Sequence, residues 1–466
     1  MVVNIRRGRE DVNKTRREFF EAASSFGAIA LAVGCADPCM KLTSGGKMQG
    51  FAAAPMARVR VAIVDMDTHG QAAVKRLSMI PGVDIVAIWD HRPELLAQAQ
   101  KQLKDCGRSP AREFAGSEGW KAMAESGLAD VVYNTCRDGA LHTKITLHFM
   151  ECGVHSLTEV LAELPGAISD DDCWALVEAS ERNRVHCMML ECCVYGEYEL
   201  LALNMVRKGI LGELVRVEGG YVHDQRNLQF KQQNWRLKNA LERKGNYYPT
   251  HSIAPISRLL DINRGDRFTT LVSMESSSVG FEAYAKSEMK RTKWENARFS
   301  RGDANITLLR TANGCLVSLV NDIASPQPYD RLNVVSGTKG ILKGFSDETF
   351  RVAYESKTDD GAGHVWFADE RAREVKETYA HPLWTSAKAF VDKIGGFGGM
   401  SMVMDLRWAF CLQNGLPLDT DVYDLATWGS IVEASDRSVR RGSEPVELPD
   451  FTRGGWRTKR GSEGLS

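Results

Sequence analysis

The stretch VRVAIVDMDTHGQAAVKRLSMIPGVDIVAIWD, residues 59–90, decides the fold. It begins with a short apolar run, Val59 to Val64, which has no helical period and is typical of a buried strand. A helix is predicted next, and Pro81-Gly82 then turns the chain into a second apolar strand, Val83 to Trp89, which ends at Asp90. Strand, helix and strand in this order predict a parallel sheet with a crossover helix.

The same alternation continues beyond this stretch. A helix is predicted around Pro93 to Leu103, followed by strands at Asp130 to Asn134 and about Val154 to Val160. The apolar run Cys187 to Leu190 predicts the strand that closes this domain. Residues 58–190 are therefore predicted to form a Rossmann-type, doubly wound parallel sheet within an α/β protein.

The first two strands predict a dinucleotide site. The loop after the first strand departs from the glycine pattern that is usual for such a site. An acid that ends the second strand, here Asp90, is where such a fold binds ribose hydroxyls. Of the GxGxxG pattern expected after the first strand, the chain keeps only Gly70. Asp65 and Asp67 stand where two glycines normally allow a tight turn and close approach of a pyrophosphate. We expect these two carboxylates to weaken dinucleotide binding, because they repel a phosphate.

The region 191–456 is predicted to be a second, α+β domain that binds the substrate, and 457–466 a short tail. Ile306 to Thr311 and Cys315 to Asn321 are predicted strands of a hairpin around Asn313-Gly314, a strong turn signal. Strands of this kind indicate an open, largely antiparallel sheet. Such a sheet can present one face to a ligand or to a second copy of the chain, so a homo-oligomer through this sheet is possible.

The N-terminal residues 1–57 are predicted to hold an export signal and a linker. Arg16-Arg17 precede a mild apolar run, Phe26 to Val33, which is the layout of a twin-arginine signal for folded proteins. That run is too short to span a bilayer. Cys35 weakly resembles the lipid-anchored cysteine of a lipoprotein. The expected location is therefore periplasmic or secreted.

Composition excludes several classes of function. The formal net charge is −1, which gives no argument for a nucleic-acid partner or an anionic membrane surface. The 11 cysteines are scattered, without the paired spacing of a zinc site or of a disulfide framework. No metal is predicted, and the thiols indicate folding under reducing conditions, which suits export after folding.

A short segment of the second domain carries the chemistry. Asn246 to His251 sets two phenols and an imidazole around Pro249, with Arg236 a short way upstream. Proline restricts its own φ and the residue before it, so Tyr248 and His251 are expected to form a proton-transfer pair with limited freedom. The polar neighbours of this segment predict a rigid, surface-facing loop whose substitution leaves thermal stability unchanged.

Many strings in order resemble glycoside hydrolase family 109, the NAD-dependent α-N-acetylgalactosaminidases of the Gfo/Idh/MocA oxidoreductase superfamily. The resemblance covers about Val59 to Trp456. The strings that carry it are Cys173-Trp174, His186 to Glu191, Tyr221 to Asp224, Trp235 to Lys238, Gly245-Asn246, Tyr248 to His251, Asn263 to Arg267, Ser325-Pro326, Pro328-Tyr329, Asn414 to Asp419 and Pro449 to Gly454.

The resemblance implies a redox route to glycoside hydrolysis. In the family, NAD takes a hydride from C3 of the sugar, which acidifies the C2 proton; the glycosidic oxygen then leaves by elimination, water adds at C1 and the hydride returns. Tyr248 and His251 match the catalytic pair of the family. The residues implied to contact the sugar are Tyr221, Arg236, Tyr248, Pro249, Thr250, His251 and Tyr329, and those implied to contact the cofactor are His69, Gly70, Asp90, His142, Glu159 or Glu163, and Cys192.

Two other functions fit the same residues. A sugar oxidoreductase of this superfamily uses a similar redox site but releases NADH. A sugar-binding relative that has lost its cofactor is the third possibility, and Asp65 and Asp67 favour it. The leading hypothesis is the glycosidase, with a glycan as its substrate.

Overall fold

A computed structural model describes residues 47–159, 169–232, 235–355, 365–394 and 396–459. The twin-arginine motif Arg16-Arg17, Cys35 and Glu163 lie outside these ranges. The described residues form two sheets, and the predicted fold class is confirmed.

The first sheet has six parallel strands in the order β3-β2-β1-β4-β5-β6. This order reverses direction between β1 and β4, and ligands of such folds bind beside that point, at the carboxyl ends of the strands. The strands are β1 (Val59–Val64), β2 (Val83–Asp90), β3 (Arg112–Ala115), β4 (Val131–Asn134), β5 (His155–Thr158) and β6 (Cys187–Met189).

Crossover helices cover both faces of this sheet, as parallel strands require. The first begins at Thr68, directly after Asp67, which keeps extended backbone at the N-cap. Pro93 opens the second helix, where its missing N–H costs nothing. The helices are α1 (Thr68–Leu77), α2 (Pro93–Asp105), α3 (Gly119–Glu125), α4 (Gly139–Glu151) and α5 (Asp170–Asn183).

The second sheet has eight strands in the order β13-β12-β11-β7-β10-β9-β8-β14. Its neighbours are antiparallel except for the parallel pair β7 and β10. The strands are β7 (Leu214–Val222), β8 (Phe268–Glu275), β9 (Ala304–Thr311), β10 (Leu316–Asp322), β11 (Val334–Gly337), β12 (Gly340–Lys343), β13 (Arg351–Tyr354) and β14 (Val446–Glu447).

The predicted hairpin is confirmed as β9 and β10, with Gly314 in the left-handed region at φ 94°. Side chains of β9 alternate between buried and exposed, so one face of the sheet packs on the core and the other is open. The open face carries apolar side chains: Met274, Ile306, Leu308 and Leu316.

Helices of the second domain cover the inner face of its sheet and join it to the first domain. The helix that begins at Thr250 packs against β7 and against the 3-10 turn Cys192–Tyr195, which follows β6 at the edge of the first sheet. The helices are α6 (Glu197–Arg207), α7 (Arg226–Gln232), α8 (Trp235–Glu242), α9 (Thr250–Leu259), α10 (Val279–Glu288), α11 (Asp369–Tyr379), α12 (Pro382–Ile394), α13 (Gly396–Asn414) and α14 (Val422–Arg440).

The segment just before β1 contacts the body of the protein at two points. Met48 is 3% exposed and its N–H donates to the Tyr423 hydroxyl, while the Met56 N–H donates to the Leu412 carbonyl. Met48 and Met56 are therefore anchored, while Gly50, Ala52 and Ala54 between them are exposed.

None of the helices in the described ranges combines the length and apolar character that crossing a membrane would require.

Candidate active site

The predicted catalytic pair lies where the two domains meet. Glu191 follows β6 at the carboxyl edge of the first sheet, and His251 lies in the first turn of α9. His251 Nδ1 is 2.9 Å from Glu191 Oε2, and His251 Nε2 is 3.3 Å from the Tyr248 hydroxyl. The structure thus brings Tyr248 and His251 together, as predicted, and adds a buried carboxylate behind the imidazole.

The backbone around this pair is tightly held. Pro249 is the N-cap of α9, and the Tyr248 N–H donates to the side-chain oxygen of Asn246. Tyr247 and Thr250 are 0% exposed and Tyr248 is 6% exposed. The prediction of a surface-facing loop is therefore wrong, because apolar ring surface and satisfied polar groups place the segment inside the protein.

Electrostatics favour a charged imidazole at His251. Burial lowers the pKa of His251, but Cys193 and the Glu191 carboxylate outweigh it, so the pKa lies well above its ordinary value. Burial likewise raises the pKa of Glu191, but His251, the Cys193 N–H and the Thr250 hydroxyl outweigh it, so this pKa is lowered. A protonated imidazole has two N–H donors, one for Glu191 and one for the phenol oxygen of Tyr248.

Aromatic rings form one wall beside the pair. The ring of Tyr221 stacks on that of Tyr248 with centroids 4.1 Å apart and contacts His251 and Tyr329 edge-on. Gln225 donates to the Tyr221 hydroxyl at 2.9 Å. A flat wall of this kind suits the C–H face of a sugar, so the structure unites Tyr221 and Tyr329, both predicted sugar contacts.

Arg236 is also placed at this site. It lies on α8, and its guanidinium carbon is 5.5 Å from the centroid of the Tyr248 ring. A guanidinium at this position offers a planar set of donors to sugar oxygens and a cation near the phenol. Burial, together with Arg236 and His251, lowers the pKa of His223 to about 4, so this neighbouring imidazole is neutral.

The loop after β1 keeps the shape of a glycine turn without its first two glycines. Asp65 has φ 68°, the left-handed conformation that glycine normally supplies. A Cβ on Gly70 would lie 2.0 Å from the Asp65 carbonyl oxygen, so only glycine allows α1 to approach β1 this closely. The predicted correspondence of Asp65 and Gly70 with the first and last glycines therefore agrees with the backbone.

Cations partly neutralise the carboxylates of this loop. Asp65 accepts a hydrogen bond from Arg92 Nη2 at 3.0 Å and from the Asp67 N–H at 3.1 Å. Its pKa is raised, chiefly by burial. The carboxylate of Asp65 is thus turned onto Arg92 and the loop backbone, which reduces the repulsion of a phosphate that we expected from the sequence.

Asp90, the predicted ribose contact, is covered by Arg92. Asp90 is 0% exposed and accepts hydrogen bonds from the Met66 N–H at 2.8 Å and from Arg92 Nε at 2.9 Å. Burial raises the pKa of Asp90, but these bonds outweigh it and hold the pKa below its usual range. A ribose in this crevice meets Arg92 before Asp90.

Glu159 and His69 line the same crevice. His69 Nδ1 lies 2.7 Å from Glu159 Oε1, and the guanidinium of Arg137 donates to His69 Nε2. Burial raises the pKa of Glu159, but His69 and Arg137 outweigh it, so the pKa is lowered. Glu159 is therefore placed at the carboxyl end of β5, while its alternative, Glu163, lies outside the described residues.

The two remaining predicted cofactor contacts lie deeper. His142 is 0% exposed, with one ring nitrogen bonded to the Cys136 carbonyl and the other to the Thr158 hydroxyl, and burial lowers its pKa to about 4. Cys192 is half-buried and follows Glu191 directly. The placement of His142 makes it a support of the crevice wall, and its direct contact with a cofactor stays a prediction.

The backbone of the crevice and the charges around it fit a dinucleotide. It lies at the reversal of strand order, Gly70 allows the close approach of α1, and the first turn of α1 points its N–H groups there. Arg92, Arg137 and His69 place cationic or hydrogen-bonding groups beside it. These residues would hold the two phosphates and the ribose of such a cofactor.

Several neighbours of the catalytic pair received no role from the sequence. Glu191 and Cys193 reach His251 from a distant part of the chain, whereas Gln225 reaches Tyr221 from four residues away. One local signal for Glu191 existed: a carboxylate directly after an apolar closing strand, at the edge where α/β folds bind ligands.

Solved structures with this fold include sugar dehydrogenases. Levoglucosan dehydrogenase in complex with NADH and levoglucosan matches with a TM-score of 0.62 and 18% identity, over 84% of this chain and 99% of that one. The WlbA dehydrogenase from Bordetella pertussis, in complex with NADH and UDP-GlcNAcA, matches with a TM-score of 0.60 and 16% identity, over 85% and 100%. At these identities the likeness shows the fold.

Sequence relatives are much closer. A protein of Bacteroides fragilis named alpha-N-acetylgalactosaminidase is 37% identical over 426 residues, which is 90% of this chain and 97% of that protein. Glycosyl hydrolase family 109 protein 1 of Phocaeicola vulgatus is 38% identical over 407 residues, 85% of each. The family profile described as "Glycosyl hydrolase 109, C-terminal domain" matches residues 195–458, more than half of the chain. Together with the Tyr248 and His251 geometry, these matches show that the chain belongs to glycoside hydrolase family 109.

Proposed function

We propose that this glycoside hydrolase releases terminal α-linked N-acetylgalactosamine by an NAD-dependent redox and elimination route. The name of the Bacteroides fragilis relative supports the sugar, and the NADH-bound structures of the same fold support the cofactor. The observation that carries the proposal is the chain of hydrogen-bonding groups from Glu191 through His251 to Tyr248 beside a stacked aromatic wall.

When bound in the crevice, NAD would supply a temporary hydride acceptor for C3 of the sugar. Gly70 and the first turn of α1 would hold its phosphates, with Arg92 at the ribose. The crevice and Glu191 lie at the same carboxyl edge of the first sheet, which is why a sugar beside Tyr248 comes within reach of this edge.

The residues of the chain manage the protons and the orientation of the sugar. Tyr248 takes the proton of the sugar 3-OH, and the charged imidazole of His251 stabilises the resulting phenolate. Glu191 holds His251 in one orientation and balances its charge. Tyr221 packs on the sugar face and on Tyr248, and Arg236 donates to sugar oxygens beside it.

The test follows the C2 proton of an aryl α-N-acetylgalactosaminide that is hydrolysed in deuterated water. We expect the released sugar to carry deuterium at C2, while no NADH accumulates. Full retention of the original C2 proton would reject the route, and accumulating NADH would favour the sugar oxidoreductase.

A matched variant, Tyr248→Phe, keeps the ring and removes the hydroxyl. We expect its rate of hydrolysis to fall by ~10²–10⁴-fold, the usual contribution of a positioned acid or base. Val222→Ala, on the same strand as Tyr221 but without a predicted sugar contact, controls for packing near the site. A Tyr248→Phe enzyme with the turnover of the parent would contradict the role of the phenol.

We also propose that the chain is exported by the twin-arginine route to the periplasm or the exterior. Support comes from Arg16-Arg17 ahead of the apolar run Phe26 to Val33. Replacing both arginines by lysine should keep the protein in the cytoplasm of the producing cell, which fractionation measures. Export that continues unchanged would contradict the proposal.

We also propose that copies of the chain associate through the open face of the second sheet. Its open face carries Met274 and Ile306, cross-strand neighbours that are 63% and 52% exposed, with Leu308 and Leu316 nearby. Burying such a patch against a second copy lowers its contact with water. Light scattering of the full chain should report more than one copy per particle.

A further inference from the structure

A third side chain converges on the catalytic imidazole. One donor atom each from Glu191, Cys193 and His251 lies within 4.8 Å of the other two, and both Glu191 and Cys193 are buried. The set offers a carboxylate oxygen, a sulfur and an imidazole nitrogen. This combination is a donor set for zinc, which binds cysteine, histidine and carboxylate ligands in catalytic and structural sites.

The backbone holds these donors in a small region. Glu191 and Cys193 are two residues apart in one turn, where the Cys193 N–H donates to Glu191 Oε1 at 3.0 Å. His251 is held by a separate element, α9. Because the side chain of His251 is 15% exposed, a small ion can reach the cluster from solvent and keep one position for water.

The guanidinium of Arg331 lies close to the cluster. Arg331 Nη1 donates to Cys193 Sγ at 3.3 Å. Arg331 is itself paired with Glu199 at 3.1 Å, so its charge is balanced within the protein. Its N–H donor therefore faces the sulfur of Cys193 without adding a net charge to the cluster.

We propose that Glu191, Cys193 and His251 form a binding site for Zn²⁺ or a similar thiophilic divalent cation, and that its occupation inhibits the enzyme. On binding, the Cys193 thiol releases its proton to water and the sulfur coordinates the metal. The metal takes an imidazole nitrogen of His251 that otherwise faces Glu191 or Tyr248. The inhibition, though not the binding, rests on the proposed function, because it requires that His251 serve Tyr248.

Binding is tested first, without reference to activity. The full chain with Cys106 and Cys152 changed to serine, which removes its exposed thiols in the described ranges, is titrated with CoCl₂. We expect thiolate-to-cobalt charge-transfer absorption and one bound cobalt per chain, displaced by ZnCl₂. Absence of the absorption band would overturn the proposal.

Three variants locate the site. Cys193→Ala should abolish the band and weaken zinc binding by more than ~10-fold, since even the loss of a residue that only orients a ligand costs that much. Cys192→Ala removes the adjacent thiol, which lies outside the cluster, and should keep the band. Cys193→Ser gives the same answer with a side chain of nearly unchanged size, and its thermal unfolding shows that the fold is intact. A band that survives in both Cys193 variants would overturn the assignment.

Inhibition is measured second. Micromolar ZnCl₂ should reduce hydrolysis by the parent enzyme and be reversed by a chelator, while Cys193→Ser, compared with its own zinc-free rate, should resist the same concentration. Zinc that binds as described but leaves hydrolysis unchanged would overturn the inhibitory part and leave the proposed glycosidase activity intact.

Discussion

At the residue scale, the pairing of His251 with Glu191 controls the proton chemistry. An imidazole at the N-terminus of a helix is normally disfavoured as a cation, because the helix dipole is positive there. Cys193 and the buried carboxylate of Glu191 reverse this preference, because both raise the pKa of His251, Cys193 by the larger amount. Glu191 is therefore a positioning residue that decides both the orientation and the charge of the catalytic imidazole.

Changing Glu191 to Gln removes the charge of this side chain and keeps its shape, so it tests the effect of the charge alone. The amide keeps the size of the side chain and one hydrogen bond, so we expect the pKa of His251 to fall and the hydrolysis rate to drop by ~10²-fold or more. Histidine proton resonances measured against pH report the pKa directly. Asp419→Asn, which breaks a buried ion pair with Arg407 elsewhere in the second domain, is the control. It should lower stability and leave the titration of His251 unchanged; equal effects of both variants would contradict the assignment.

His251→Ala has a cost in stability that the sequence did not predict. It leaves the Glu191 carboxylate buried without its cation, which costs about 4 kcal/mol. Tyr248→Phe loses one hydroxyl and should cost about 1 kcal/mol. Urea unfolding of the two variants measures the difference, and equal midpoints would contradict the burial of this pair.

At the element scale, the loop between β1 and α1 controls access for a cofactor. Asp65 holds the left-handed turn that glycine would hold without strain, and its carboxylate ties Arg92 over Asp90. The loop thus combines the backbone of a phosphate-binding turn with side chains that close it.

Asp65→Gly should open this loop. Glycine relieves about 1–2 kcal/mol of left-handed strain and removes a carboxylate from the phosphate path. We expect NAD to bind at least about tenfold more tightly, as measured by calorimetry, with Asp65→Ala as the control that removes the charge but keeps the Cβ. If the affinity falls in both variants, the pair of Asp65 and Arg92 is itself part of the cofactor site.

At the scale of the whole molecule, neutral buried histidines set the response to acid. Burial lowers the pKa of His142 and of His155 to about 4, whereas an unfolded histidine titrates near pH 6.5. Above about pH 6.5 both states are neutral and the stability is complete. As pH falls from about 6.5 to about 4, the unfolded chain binds protons that the folded one excludes, so stability is lost.

The variant His155→Gln should make the unfolding free energy depend less steeply on pH. A shift of about 2.5 pKa units corresponds to roughly 3 kcal/mol for one residue. We expect the difference in unfolding free energy between pH 7 and pH 4.5 to shrink in this variant, and to stay unchanged in His91→Gln, whose side chain is 61% exposed. Chemical denaturation at the two pH values measures it. An unchanged difference in His155→Gln would show that other groups dominate the acid response.

The sequence by itself determined the alternation of strands and helices, the hairpin at Asn313-Gly314, the glycine-like turn ending at Gly70 and the family strings around Tyr248 and His251. These features depend on neighbours along the chain, which periodicity and turn chemistry report. Tertiary structure alone decided that Glu191 stands behind His251, that Arg92 pairs with Asp65, that His142 is enclosed and that the catalytic segment is buried. Each of these depends on which side chains face one another once two sheets and their helices pack together. A local pattern carries no record of such contacts, because burial and charge pairing are set by residues distant in sequence.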